Sequence, residues 1–197
     1  VAPGSKIDVS RLHITGQESN AAINGVLNNL AACDILIDAT ANARVFNLLA
    51  AVARTVGLPI VWIEVFGGGL GGLIARSRPK IDPTPQDMKG VYLQFCSAHP
   101  APNLKPVLGN YAIENEEGEV LVASDADVAI IAHHAVRFIT DCFNVPAQSI
   151  FPYSMYLIGL SKGWIFEAPF DTQPISMQSY SVDGWVNDKK PDLSDED

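Results

Sequence analysis

The sequence predicts an α/β fold with a mainly parallel sheet, and three segments carry that prediction. Asp34–Asp38 encloses a short apolar run of the kind shown by a strand buried on both faces. Asn42–Val56 places Val45, Leu48, Leu49, Val52 and Val56 on one helical face. Ile60–Phe66 is a second apolar run, entered through Gly57 and Pro59, which stop the helix. Strand, helix and strand in that order make a βαβ unit, whose crossover is right-handed.

The remaining elements follow in chain order. Ile7, Val9 and Leu12 alternate as a short edge strand would, and Glu18–Ala32 reads as a helix with Ser19 as N-cap. Gly67–Gly72 breaks the second strand, and Leu73–Arg76 resumes it. Pro79, Pro83 and Pro85 form a stiff connector before a short helix at Gln86–Phe95. Pro100, Pro102 and Pro106 mark a loop, and Asn115–Gly118 turns between strands at Tyr111–Ile113 and Val120–Val122. Ser124–Phe143 is a long helix opened by the Ser124–Asp127 capping pattern. Met155–Leu160 and Trp164–Glu167 read as a β-hairpin across Ser161–Gly163. From Asp188 the chain is charged and poor in core residues, which predicts a disordered acidic tail. The division expected is an α/β part over 1–79, a mixed α+β extension over 80–187 and the tail over 188–197.

At 197 residues and 48% hydrophobic, the chain can bury a sizeable core. A formal net charge of −9 argues against nucleic acid or an anionic membrane as partner. Cys33, Cys96 and Cys142 are odd in number and lack CxxC spacing, which disfavours a disulfide framework and a structural zinc. A reducing, cytoplasmic setting follows. No apolar stretch is long enough to span a membrane, and no signal peptide is visible. The chain starts at Val1 rather than Met, as a fragment, a processed chain or a trimmed chain would.

Several residues invite a chemical reading beside a structural one. In open α/β sheets ligands sit beyond the carboxyl ends of the strands, where Asp38, Thr40 and Asn42 lie. They either meet a nucleotide or its metal, or cap the helix that follows. Gly67–Gly72 lacks both the GxGxxG context and a following Lys-Ser/Thr, so it allows a tight turn or a partner's extended chain to approach. Cys96, beside Ser97 and His99 in proline-bounded surroundings, is a candidate nucleophile or a small buried side chain. Cys33 and Cys142 are core candidates. His133 and His134 are adjacent on a helix and cannot form an i, i+4 metal pair.

The run Asp38-Ala-Thr-Ala-Asn42, then a helix, Gly57-Leu-Pro-Ile, and Val65-Phe-Gly-Gly-Gly-Leu-Gly-Gly-Leu-Ile resembles the E1-like activating enzymes of the ThiF family. The family's pattern is Asp-x-Thr-Asp-Asn, a helix, a Gly-x-Pro step and a glycine-spaced strand turn. The resemblance implies a Rossmann-like fold lacking its N-terminal nucleotide-loop unit, which would precede residue 1. It implies ATP-dependent adenylation of the carboxyl terminus of a ubiquitin-like or sulfur-carrier protein, with Mg-ATP; the CxxC zinc pairs of many members are missing here, so no zinc is expected. Asp38, Thr40 and Asn42 would line the nucleotide side, and Cys96 would accept the acyl group from a crossover loop. The glycines would let the carrier's extended tail pass close to the backbone. Ala41 stands where the family carries an acid, and Phe46 where it commonly carries Arg. The expectation is therefore that these residues alone do not adenylate.

Tyr156–Phe170 is similar to the extension of a divergent bacterial branch, whose members occur beside E2-like and JAB-type peptidase partners. A homodimer is implied as well. Two other classes share the βαβ unit: a non-catalytic interaction or dimerisation module, and a dinucleotide-dependent oxidoreductase.

Overall fold

The structure is a computed structural model that describes residues 4–9, 20–101, 105–106, 112–114, 118–145 and 148–177. It opens with α1 (Asn20–Ala31), β1 (Leu36–Asp38), α2 (Ala43–Val56) and β2 (Ile60–Val65). A 3-10 turn at Gly67–Gly69 leads into β3 (Gly71–Ser77) and then α3 (Pro85–Ala98). The short strands β4 (Lys105–Pro106), β5 (Ala112–Glu114) and β6 (Val120–Val122) precede α4 (Asp125–Asp141). β7 (Met155–Gly159) and β8 (Thr172–Pro174) complete the order.

The main sheet runs β1-β2-β3-β7-β8, and β4-β5-β6 form a small antiparallel sheet of their own. The predicted βαβ unit is present: β1 and β2 are parallel, with Leu36 opposite Ile60 and Asp38 opposite Trp62. Its boundaries are set locally. Asn42 caps α2, and Gly57 ends it in the left-handed region at φ 73°.

The expected mainly parallel sheet is corrected to a mixed one. Only β1–β2 is parallel, while β2–β3, β3–β7 and β7–β8 are antiparallel. The reason is connection length. Residues 66–70 alone separate β2 from β3, too few for the crossover of a dozen or more that a parallel pair needs. The glycine run therefore reverses the chain, and Leu73–Arg76 is a returning strand instead of a resumption of β2.

Alternation along the strands divides the core between two layers of helices. Trp62, Leu73, Ala75, Met155 and Leu157 face the side that includes Phe46, Leu49 and Ala50 of α2 and Met88 and Tyr92 of α3. Val61, Ile74 and Ile158 face Ile131, Ala135 and Phe138 of α4. α4 begins as predicted, with a reciprocal capping box between Ser124 and Asp127. Because β7 pairs with β3, the sheet continues past Pro79 into the residues read as an extension.

Other expectations shift as well. Trp164–Glu167 is not a strand: a lone bridge joins Gly163 and Phe166, and β7 takes β8 as its partner. Trp164 itself has φ 52°, which interrupts an extended run. Ile7 and Val9 are exposed and belong to no strand, while Leu12, Ser19 and the acidic tail lie outside the described residues. No helix among the described residues is long and apolar enough to cross a membrane.

Candidate functional site

The carboxyl end of β1 is held by a ladder of short-range hydrogen bonds. Asp38, 3% exposed, accepts at Oδ1 from the Thr40 backbone N–H at 2.9 Å and the Thr40 hydroxyl at 2.6 Å. The Thr40 hydroxyl oxygen accepts from the Asn42 N–H at 3.3 Å. Asn42 Oδ1 accepts from the N–H groups of Arg44 at 2.9 Å and Val45 at 3.3 Å. The three residues predicted to line a nucleotide are thus brought together, and these oxygens serve the turn and the cap. Ala41, between them, adopts φ 49°. We expect Asn42→Ala to cost about 1 kcal/mol of stability through the lost cap, measurable by chemical denaturation.

Beyond this turn lies an open cavity of about 380 Å³. Ala41 reaches it from the turn after β1, Glu64 from the end of β2 and Phe66 from just beyond it, Tyr92 and Cys96 from α3, and Trp164 from the segment after β7. Trp164 stands edge-on to Phe66 and Phe166, at 5.6 and 5.9 Å between ring centroids. Its indole N–H donates to the His99 carbonyl at 2.6 Å, which ties that segment to the end of α3.

The expectation for Cys96 is corrected in two ways. The residue sits inside α3, half-buried in a largely apolar wall, and not in the crossover loop that the resemblance implies. The His99 ring is engaged with Phe95: it stacks on that ring at 4.3 Å between centroids, with Nδ1 3.0 Å from the Phe95 carbonyl. Tyr92, one turn earlier on α3, lines the same cavity as the sulfur, with the Lys89–Glu64 ion pair nearby. Burial pushes the Cys96 thiol up, and Glu64 adds to this. Tyr92 and the Lys89 charge oppose that rise without cancelling it. Tyr92 is itself raised far beyond its ordinary range, mainly by burial, so its hydroxyl stays protonated and able to donate.

Glu64, Lys89 and Tyr92 were not singled out from the sequence, although two signals existed. Glu64 is the one charged residue in an apolar strand, and Lys89 and Tyr92 precede Cys96 by seven and four residues on one helical face.

The glycine run does not offer the open backbone expected for a carrier tail, except at Gly67, which lines the cavity. A Cβ on Gly68 would meet Ile113 at 2.6 Å, on Gly69 the Asp127 carboxylate at 2.7 Å and on Gly72 Ile131 at 2.7 Å. The chain's own residues already occupy that space. Gly68 and Gly69, at φ 71° and 69°, make the tight turn.

His133 is exposed, with its ring Nδ1 2.6 Å from the Ala129 carbonyl, and burial lowers the half-buried His134. Among the described residues no cluster of His, Cys, Asp and Glu is arranged to hold a metal ion. All three cysteines are free. Cys33 is exposed instead of buried, because it falls in the turn after α1, and Cys142 is half-buried at the end of α4.

No family model matches the chain, and the search of curated proteins likewise found no match.

Proposed function

We propose that this chain is part of an E1-like, ThiF-type protein that activates the carboxyl terminus of a ubiquitin-like or sulfur-carrier protein by adenylation with Mg-ATP. One observation carries the reading. Ala41, within the Asp38–Asn42 turn, and Cys96 line the same cavity at the carboxyl ends of β1 and β2, although they are far apart in sequence. An extended tail could enter beside Gly67 and bring its terminal carbonyl to the Cys96 sulfur.

Phosphate binding fits these residues poorly. The cavity wall contains no cation among the described residues, and nearby Lys89 is bound to Glu64. The part assigned to this chain is therefore to receive the tail and accept the acyl group, while the triphosphate is held elsewhere. A reducing cytoplasm would keep Cys96 available as a thiol.

A second reading is favoured by the ladder at Asp38, Thr40 and Asn42 and by the raised Cys96 thiol. It is a non-catalytic E1-like module that docks a carrier, an E2-like or JAB-type partner, or a second copy.

ATP–pyrophosphate exchange tests the assignment. With Mg-ATP and ubiquitin-fold carriers ending in Gly-Gly, residues 1–197 are expected to give no exchange alone. Addition of a polypeptide carrying a glycine-rich nucleotide loop should restore it. Exchange by the chain alone overturns the division of labour, and none in either arm favours the non-catalytic module.

A further inference from the structure

We propose that Lys89 and Tyr92 are positioning residues for Cys96, and that Glu64 restrains them, so that the Glu64–Lys89 pair sets how readily the sulfur ionises. The proposal deepens the reading of Cys96 as an acyl acceptor and takes its purpose from that reading.

Lys89, Tyr92 and Cys96 occupy positions i, i+3 and i+7 of α3, which share one face. The Lys89 ammonium lies 5.0 Å from the Tyr92 ring centroid and 5.9 Å from that of Phe46. Glu64 reaches the ammonium from β2, and both side chains of the pair are 26% exposed. At that depth their charges are screened less than a surface pair's would be. Glu64, Tyr92 and Cys96 all line the cavity, so the sulfur, the donor beside it and the restraining carboxylate meet in one space.

Among the described residues that line the cavity, Glu64 is the one that carries a charge. Ala41, Ala101, Ile113 and Trp164, from the remaining walls, are uncharged, and His99 is engaged with Phe95. Tyr92 and Lys89 favour the thiolate while Glu64 disfavours it. Burial chiefly keeps the thiol protonated, and Glu64, held to Lys89, adds to it. A ligand group that draws Glu64 away would leave the ammonium and the phenol to stabilise the thiolate, with the proton released to solvent through the open mouth.

The test is the pH profile of Cys96 alkylation by iodoacetamide on the whole chain. In that assay a sulfur–carbon bond forms, iodide leaves and the thiol proton passes to buffer. Peptide mass spectrometry separates Cys96 from Cys33 and Cys142, which are also free. Glu64→Gln is expected to move the inflection down and speed alkylation near neutral pH by about three- to tenfold, a half to one pH unit. Lys89→Met should move it up by a similar amount, Tyr92→Phe should also move it up, and Lys89→Arg should stay near the parent. A pair that merely fastens α3 to the sheet would change stability and leave the inflection in place. Any pattern other than these shifts overturns the proposal. Neither ATP nor a carrier is present, so a failure here is distinct from a failure of pyrophosphate exchange.

Discussion

Replacing Arg76 with Met is expected to lower the free energy of unfolding by about 3–5 kcal/mol, read from chemical denaturation. Arg76 is fully buried on β3, and Asp141 of α4 is 3% exposed. The guanidinium pairs with the Asp141 carboxylate and also donates to Ser149 Oγ at 3.0 Å and the Phe151 carbonyl at 3.2 Å. Its carbon lies 4.8 Å from the Phe138 ring centroid and 5.6 Å from that of Phe151. The group thus joins the sheet, α4 and the loop before β7. Met fills much of the volume but leaves a buried carboxylate without its cation, which is the main cost. The double variant Arg76→Met, Asp141→Leu should recover most of the loss. If it is as unstable as the single variant, packing and not the orphaned charge is responsible.

The same pair has a pH signature. Burial disfavours the Asp141 carboxylate, but the Ser149 hydroxyl, the Arg76 guanidinium and the Ile150 N–H together outweigh it and hold the carboxyl below its usual range. A folded value below the unfolded one means a contribution fully present above the ordinary Asp value of about 3.9. It is lost as pH falls through the depressed folded value. Without Arg76 that depression weakens, so the single variant loses less stability on acidification than the parent, and the gap in unfolding free energy between the two should narrow as pH falls through the parent's depressed value.

Arg76 also shows where sequence reading reached its limit. β1, α2 and β2 were legible because their determinants are local: apolar runs of strand length, Asn42 bonding two and three residues ahead, and Gly57 supplying a positive φ. The Arg76 network was not legible, because its partners lie 65 to 75 residues away. The candidate site has the same mixture. Asp38, Thr40 and Asn42 could be grouped by adjacency, but their use of one another's hydrogen-bonding atoms depends on the path the backbone takes through the turn. For Cys96 the sequence misplaced the environment, because its cavity is assembled from segments as distant as Ala41 and Trp164. The Trp164–Phe166 alternation resembled a strand for a different reason. Trp164 lines the cavity and the buried Phe166 covers Gly159, while Trp164 and Phe170 take positive φ values that no strand sustains. β8, Thr172-Gln-Pro174, is a polar edge strand with no hydrophobic pattern to announce it.

Gly71→Ala is the second large effect expected, with a loss of about 3 kcal/mol or more, at or beyond the top of the usual overpacking range. An added Cβ would lie 2.4 Å from the Ile158 carbonyl oxygen and 2.9 Å from the Phe166 ring. A ring can turn away. The carbonyl belongs to β7, which is paired to β3 with Gly71 opposite Gly159, so relief requires the two strands to separate locally. Gly159 repeats the constraint, since a Cβ there would meet the same Phe166 ring at 2.5 Å. Gly90→Ala is the control: it lies within α3 with nothing within 4 Å of its added Cβ, and should be neutral or stabilising by up to about 1 kcal/mol. The contrast decides what Gly71 is for. If it keeps the backbone open for a visiting peptide, Gly71→Ala should fold like the parent and lose only binding. If it lets β3 and β7 close beneath Phe166, the variant should unfold at lower denaturant whether or not any partner is present. The short approach to Ile158 favours the second outcome, and parent-like stability of Gly71→Ala would refute it.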